Sequence, residues 1–168
     1  VSAQVLMGAF LTRTWKTDYV FSYSVPTLTI AGELDGLARV TRMAEAYYTQ
    51  IQDPTQDNTV AKSTFPVTVI GGVTHMQFAS GAPPDLVQKR DLIPEITYEE
   101  AHSLIAADFM TFVNVRLSNG ADAAAVSALN HRLSETETFI TPILDSLKME
   151  GYHNFRPPCL CTDDVCEE

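Results

Sequence analysis

Two residues in this chain, Asp35 and His75, could share proton-transfer chemistry, because each stands just beyond a short apolar run. Asp35 lies in Ile30-Ala31-Gly32-Glu33-Leu34-Asp35-Gly36, and His75 in Gly71-Gly72-Val73-Thr74-His75-Met76-Gln77-Phe78. A carboxylate bonded to one imidazole nitrogen fixes the ring tautomer and stabilises the imidazolium formed when the other nitrogen takes a proton. Such a pair is two-thirds of a nucleophilic triad. Each residue also has a plainer use. Asp is a favoured helix N-cap, here for a helix opening near Leu37, and His75 in an apolar loop can be a satisfied structural histidine. Met76 and Phe78 read as packing around the histidine loop, and Glu33 as a solvated side chain. His102, His131 and His153 have no ligand spacing to any cysteine and read as surface residues.

The three cysteines, Cys159, Cys161 and Cys166, crowd into an acidic tail. Zinc sites want four ligands with Cys-x2-4-Cys spacing. Here there are three thiols, one pair is separated by a single residue, and recruiting His153 needs a flexible stretch of chain, so no metal is expected. Disulfides fit better. A bridge between Cys159 and Cys161 closes a strained ring, so Cys166 is the expected partner of one of them, and the third thiol pairs outside the chain. That chemistry belongs to the secretory pathway or the extracellular space.

Positioning Asp35 and His75 side by side is a task for neighbouring parallel strands. Gln4 to Leu11, Thr27 to Ala31 behind Pro26, and Pro66 to Ile70 before Gly71-Gly72 are short apolar runs, which read as strands buried on both faces. Between the second and third, Leu37, Val40, Met43, Ala44, Tyr47, Tyr48 and Ile51 recur at helical steps. The unit is strand, helix, strand, with both loops at the carboxyl ends, where parallel α/β sheets hold ligands and catalysts. Beyond residue 82 no further strand is expected. Thr97 and Glu100 have capping-box spacing, and a helix follows that stops at Asn119-Gly120. Two more helices are expected, over about Asp122 to Leu133 and from Ser134 to before Gly151, with Pro142 kinking or restarting the second.

Composition narrows the function. The 168 residues are 45% hydrophobic and 19% charged, a globular composition, and no apolar run approaches the ~20 residues of a membrane-spanning helix. With 11 Lys+Arg against 21 Asp+Glu the net charge is -10, and the basic residues are scattered. Nucleic-acid binding, which needs clustered basic side chains, is disfavoured.

The segment Val25-Pro26-Thr27-Leu28-Thr29-Ile30-Ala31-Gly32-Glu33-Leu34-Asp35, followed by Phe65-Pro66-Val67-Thr68-Val69-Ile70-Gly71-Gly72-Val73-Thr74-His75, resembles the closing part of an α/β-hydrolase of the serine esterase or lipase type. In that family a Pro-led strand ends in a Gly-Xaa-Xaa-Asp turn carrying the triad acid, and the next strand ends in a loop carrying the histidine. The resemblance implies that Asp35 is the acid and His75 the base, in the family order of Ser, acid, His. It implies a carboxyl oxygen about 2.6 to 3.2 Å from a ring nitrogen. It covers roughly residues 3 to 118, with Gln4 to Leu11 as the preceding strand and Tyr98 to Ser118 as the last helix.

The chain departs from the family at the nucleophile: it contains no Gly-Xaa-Ser-Xaa-Gly, and Ser2 runs straight into an apolar strand. The expectation is therefore an α/β fold corresponding to part of an α/β-hydrolase, with about three parallel strands and crossover helices. Residues 1–118 are its carboxyl-terminal part, 119–151 a helical extension and 152–168 a cysteine-containing tail. The serine would come from upstream sequence of the same hydrolase or from another protein chain, the substrate would be a small acyl or ester compound, and no cofactor is called for. The alternative is a non-catalytic, hydrolase-like structural or assembly subunit.

Overall fold

The computed structural model describes residues 3–9, 25–44 and 64–149. Three strands form one sheet: β1 (Gln4–Met7), β2 (Thr27–Gly32) and β3 (Val67–Ile70). They lie in the order β1-β2-β3 and both pairings are parallel, with Gln4 opposite Thr27 and Thr29 opposite Val67. The expected three parallel strands are present, in an α/β arrangement. They differ from the expectation in burial: β2 and β3 are buried throughout, whereas β1 is only half-buried and Met7 is exposed. The cause is position, since β2 is central and β1 is an edge strand among the described residues.

Alternation along the strands separates two apolar layers. On one face Ala31, Val67 and Val69 meet Ala38, Met43 and Ala44, from a segment that becomes helical at residue 40. The remainder of that expected helix, with Tyr47, Tyr48 and Ile51, lies outside the described residues. On the other face Leu28, Ile30 and Ile70 meet Ala101, Ile105 and Phe112. These last three sit on α2 (Tyr98–Leu117), which follows the short α1 (Asp85–Arg90). The capping box read from the sequence forms as expected: Thr97 Oγ1 accepts the Glu100 N–H at 3.2 Å, and Glu100 Oε2 accepts the Thr97 N–H at 2.9 Å. Asn119 and Gly120, both with positive φ, close α2, and the Gly120 N–H returns to the Val115 carbonyl at 2.9 Å.

Residues 123–149 form one helix, α3 (Ala123–Met149), where the spacing of Ser134 and Pro142 suggested two. Packing overrides both local signals. Arg132, just before the expected break, is held by Asp108 of α2, and Thr136 Oγ1, just after it, accepts the Val69 N–H at 2.9 Å. Pro142 stands inside this helix without ending it. Ile140 joins the layer of Val67 and Val69, so α3 lies against β3 and covers part of its outer edge. Among the described residues, no helix is long and apolar enough to cross a membrane.

Candidate functional site

β2 and β3 run parallel side by side, so the turns leaving their carboxyl ends emerge next to each other. The acid turn starts at Gly32, and its approach to the histidine loop is closer than a side chain would permit. A Cβ on Gly32 would lie 2.3 Å from the Val73 carbonyl oxygen. Backbone bonds close the gap, with Glu33 N donating to Ile70 O at 3.0 Å and Leu34 N to Val73 O at 2.9 Å. Glu33, read from the sequence as solvated, is half-buried, and its Oε2 accepts the Gly72 N–H at 3.1 Å. The strand pairing brings the two turns together and gives that carboxylate a partner.

Asp35 and His75 meet in this junction. His75 Nδ1 lies 2.9 Å from Asp35 Oδ2, and the Asp35 side chain is fully buried while that of His75 is 29% exposed. The other carboxyl oxygen, Oδ1, accepts the N–H groups of Leu37 at 2.8 Å and Ala38 at 2.6 Å. One oxygen thus closes a turn over residues 36–38, and the helix opens only at Val40, so Asp35 is not the N-cap that the sequence suggested. The other oxygen faces the histidine. An ionised carboxylate only accepts hydrogen bonds, so this contact places the ring hydrogen on Nδ1 and leaves a lone pair on Nε2. Among the described residues no hydrogen bond reaches Nε2. The arrangement is that of a general base with its far side already tied down.

The ring is packed as well as bonded. Phe78 stands edge-on to it, with centroids 6.5 Å apart and planes at 72°. Gly8, at the end of β1 with φ of 57°, lies beneath it: a Cβ there would come within 3.1 Å of His75 Cε1 and Nδ1 and 2.9 Å of the Phe78 ring. The histidine loop is a 3-10 turn, His75–Phe78, braced by the fully buried Gln77. Gln77 Oε1 accepts the Thr74 N–H at 3.0 Å, and its amide donates to the Ile96 carbonyl at 2.8 Å. Thr74-Xaa-Xaa-Gln77 has capping-box spacing, so this brace carried a sequence signal.

Asp91, directly after α1, carried none. Its Oδ1 accepts the N–H groups of Gly36 at 2.9 Å, His75 at 3.1 Å and Leu92 at 3.1 Å, and its Oδ2 that of Met76 at 2.8 Å. Burial alone would raise this carboxyl, but the bonds from Gly36, Met76, His75 and Leu92 outweigh it and hold Asp91 below the usual aspartate range. A carboxyl lowered in the folded state stabilises the fold above its unfolded value, near 3.8, and that contribution is lost as pH falls through the lower folded value. Acid unfolding followed by circular dichroism is therefore expected to be less steep below pH 3.8 for Asp91→Asn than for the unsubstituted protein.

The other described histidines stand on α2 and α3, apart from this junction. His102 stands edge-on to Tyr98 at 6.0 Å, and His131, 74% exposed, is 3.6 Å from Glu135. Cys159, Cys161, Cys166 and His153 fall outside the described residues. Among the described residues no three His, Cys, Asp or Glu side chains gather as metal ligands. Comparison with protein-family models, with curated proteins and with solved structures returns no match. The functional reading accordingly rests on the geometry around His75.

Proposed function

We propose that this chain supplies the acid and base of a serine hydrolase of the α/β-hydrolase type, acting on a carboxylic ester or related acyl substrate. The observation that carries the reading is the 2.9 Å contact between His75 Nδ1 and buried Asp35 Oδ2, at the carboxyl ends of adjacent parallel strands, with no described residue bonded to Nε2. In this reading Nε2 takes the proton from a serine hydroxyl as its oxygen attacks the acyl carbon. The carbon–oxygen bond to the alcohol then breaks, and Nε2–H hands that proton to the departing oxygen. Asp35 stabilises the imidazolium between the two transfers. Water repeats the sequence on the acyl-enzyme.

The serine and the oxyanion-binding amides belong, in this proposal, to polypeptide outside the 168 residues, because the chain holds no Gly-Xaa-Ser-Xaa-Gly. The outer edge of β1 suits its attachment: among the described residues it carries no strand, and Gly8, just beyond β1, lies against the His75 ring. The missing elbow also motivates the second reading, a hydrolase-like assembly subunit without catalysis. The two are separated by expressing the chain together with its preceding sequence and assaying 4-nitrophenyl esters and fluorophosphonate labelling. Hydrolysis and labelling that both disappear in His75→Ala are the expected result. A preceding sequence that does not label, or activity indifferent to His75, would overturn the enzymatic reading.

A further inference from the structure

We propose that Asp91 is the positioning residue of this site: its carboxylate sets the spacing between the acid turn and the histidine loop, and so the Asp35–His75 contact. The inference rests on the reading of Asp35 and His75 as an acid–base pair and adds a third side chain to it. One atom makes the tie. Asp91 Oδ1 accepts from the Gly36 N–H, one residue beyond the acid, and from the His75 N–H, the backbone of the base itself. The two turns are thus joined through a single oxygen as well as through the Asp35–His75 bond. Oδ2 then holds the next residue of the histidine loop, Met76.

The surrounding backbone is built to let Asp91 come this close. A Cβ on Gly36 would stand 2.2 Å from the Arg90 carbonyl oxygen and 2.8 Å from Asp91 Cα, so the acid turn rests directly on the Asp91 segment. Among the described residues the N–H groups of Gly36, His75 and Met76 have no other hydrogen-bond acceptor. Bonds from N–H groups to a carboxylate are roughly twice as strong as neutral ones. Asp91 touches neither ring nitrogen of His75, so it acts through the backbone.

The distinction from a merely structural role lies in what each variant does to the imidazole. Asp91→Ala removes both oxygens and frees the two turns from each other. Asp91→Asn with its oxygen in the Oδ1 place keeps the tie to Gly36 and His75 but turns an N–H2 toward Met76. The His75 Nδ1–H resonance of the 168-residue chain, followed by NMR with its exchange rate, reads the contact directly. Exchange is expected to be slowest in the unsubstituted protein, faster in Asp91→Asn and fastest in Asp91→Ala. In the serine-complete protein kcat is expected to fall about 10- to 100-fold in Asp91→Ala with KM little changed, the scale of a reacting group displaced by about 1 Å.

Either folded variant with the Nδ1–H exchange of the unsubstituted protein would overturn the proposal. Where Asp91→Ala does not fold, Asp91→Asn decides. Loss of fold in both variants also overturns it, since a residue that only spaces two turns does not carry the whole fold. Failure of the acid–base reading looks different: the unsubstituted protein itself then shows no protected Nδ1–H, or the serine-complete enzyme is indifferent to His75→Ala.

Discussion

In the proposed serine hydrolase, Asp35→Asn is expected to lower kcat by about 10^4-fold, with KM and thermal stability little changed. The asparagine oxygen can take the place of Oδ1, which accepts from Leu37 and Ala38, so the turn survives. Its amide N–H2 then replaces the Oδ2 that faces His75 Nδ1. Facing a donor, Nδ1 must become the acceptor, and the ring hydrogen moves to Nε2. A protonated Nε2 cannot take a proton from serine. Asp35→Ala loses the turn's two hydrogen bonds as well, and is expected to cost about 1 kcal/mol of stability in addition to the activity. Steady-state kinetics on short-chain esters with parallel thermal melts would check both. An Asp35→Asn protein retaining more than a tenth of its kcat would leave Asp35 as the brace of its own turn and nothing more.

The two uses of Asp35 show what was legible in the sequence and what was not. Capping and histidine orientation read as competing explanations; in the structure one oxygen closes the turn before a helix that opens only at Val40 and the other faces the histidine, a division that a one-letter sequence does not reveal. The strands were legible because Val- and Ile-rich runs bounded by Pro and Gly have few other uses, and α2 because Thr97 and Glu100 announce its start. The continuity of α3 was not legible. Ser134 and Pro142 are local signals of a break, whereas the groups that override them, Asp108 and the Val69 N–H, come from distant parts of the chain. Asp91 was invisible for the same reason. Its significance lies in N–H groups 55, 16 and 15 residues away, and nothing in Lys89-Arg90-Asp91-Leu92 points to them.

Close approach is the physical theme of the site. Gly8, Gly32 and Gly36 each stand where a Cβ would meet the His75 ring, the Val73 carbonyl or the Arg90 carbonyl. Four segments converge at these glycines, the end of β1, the acid turn, the histidine loop and Arg90-Asp91, and the hydrogen bonds of Asp91 are possible because the backbones come so near. The histidine is therefore positioned by its surroundings on several sides, and among the described residues no hydrogen bond reaches its Nε2. Such pre-positioning is what lets a general base act without reorganising at the moment of reaction.

The largest stability effect is expected away from the site, at Arg132. Its Nε and Nη2 grip Asp108 at 2.7 and 3.2 Å, a two-point contact between α3 and α2, and its Nη1 bonds to Glu135. Burial works to lower the Arg132 pKa, and the bonds and charges of Asp108 and Glu135 raise it above the usual arginine value. The Asp108 side chain is only 3% exposed, so Arg132→Met would leave a carboxylate inside the protein without a counter-charge. Breaking a buried pair in this way costs about 3–5 kcal/mol. A cavity of about 340 Å3, lined by Arg132, Leu104, Thr138 and Phe139 among others, gives water a route to the vacated place and sets the expectation at the lower end of that range. The loss should also loosen α3 from β3, since Thr136 and Ile140 follow on the same helix. Urea unfolding of Arg132→Met, Asp108→Leu and the double variant would measure it. The double variant is expected to recover most of the stability, because two apolar side chains replace the pair without leaving a charge behind. A single Arg132→Met variant that unfolds at the same urea concentration as the unsubstituted protein would show that α3 is held by its apolar contacts alone.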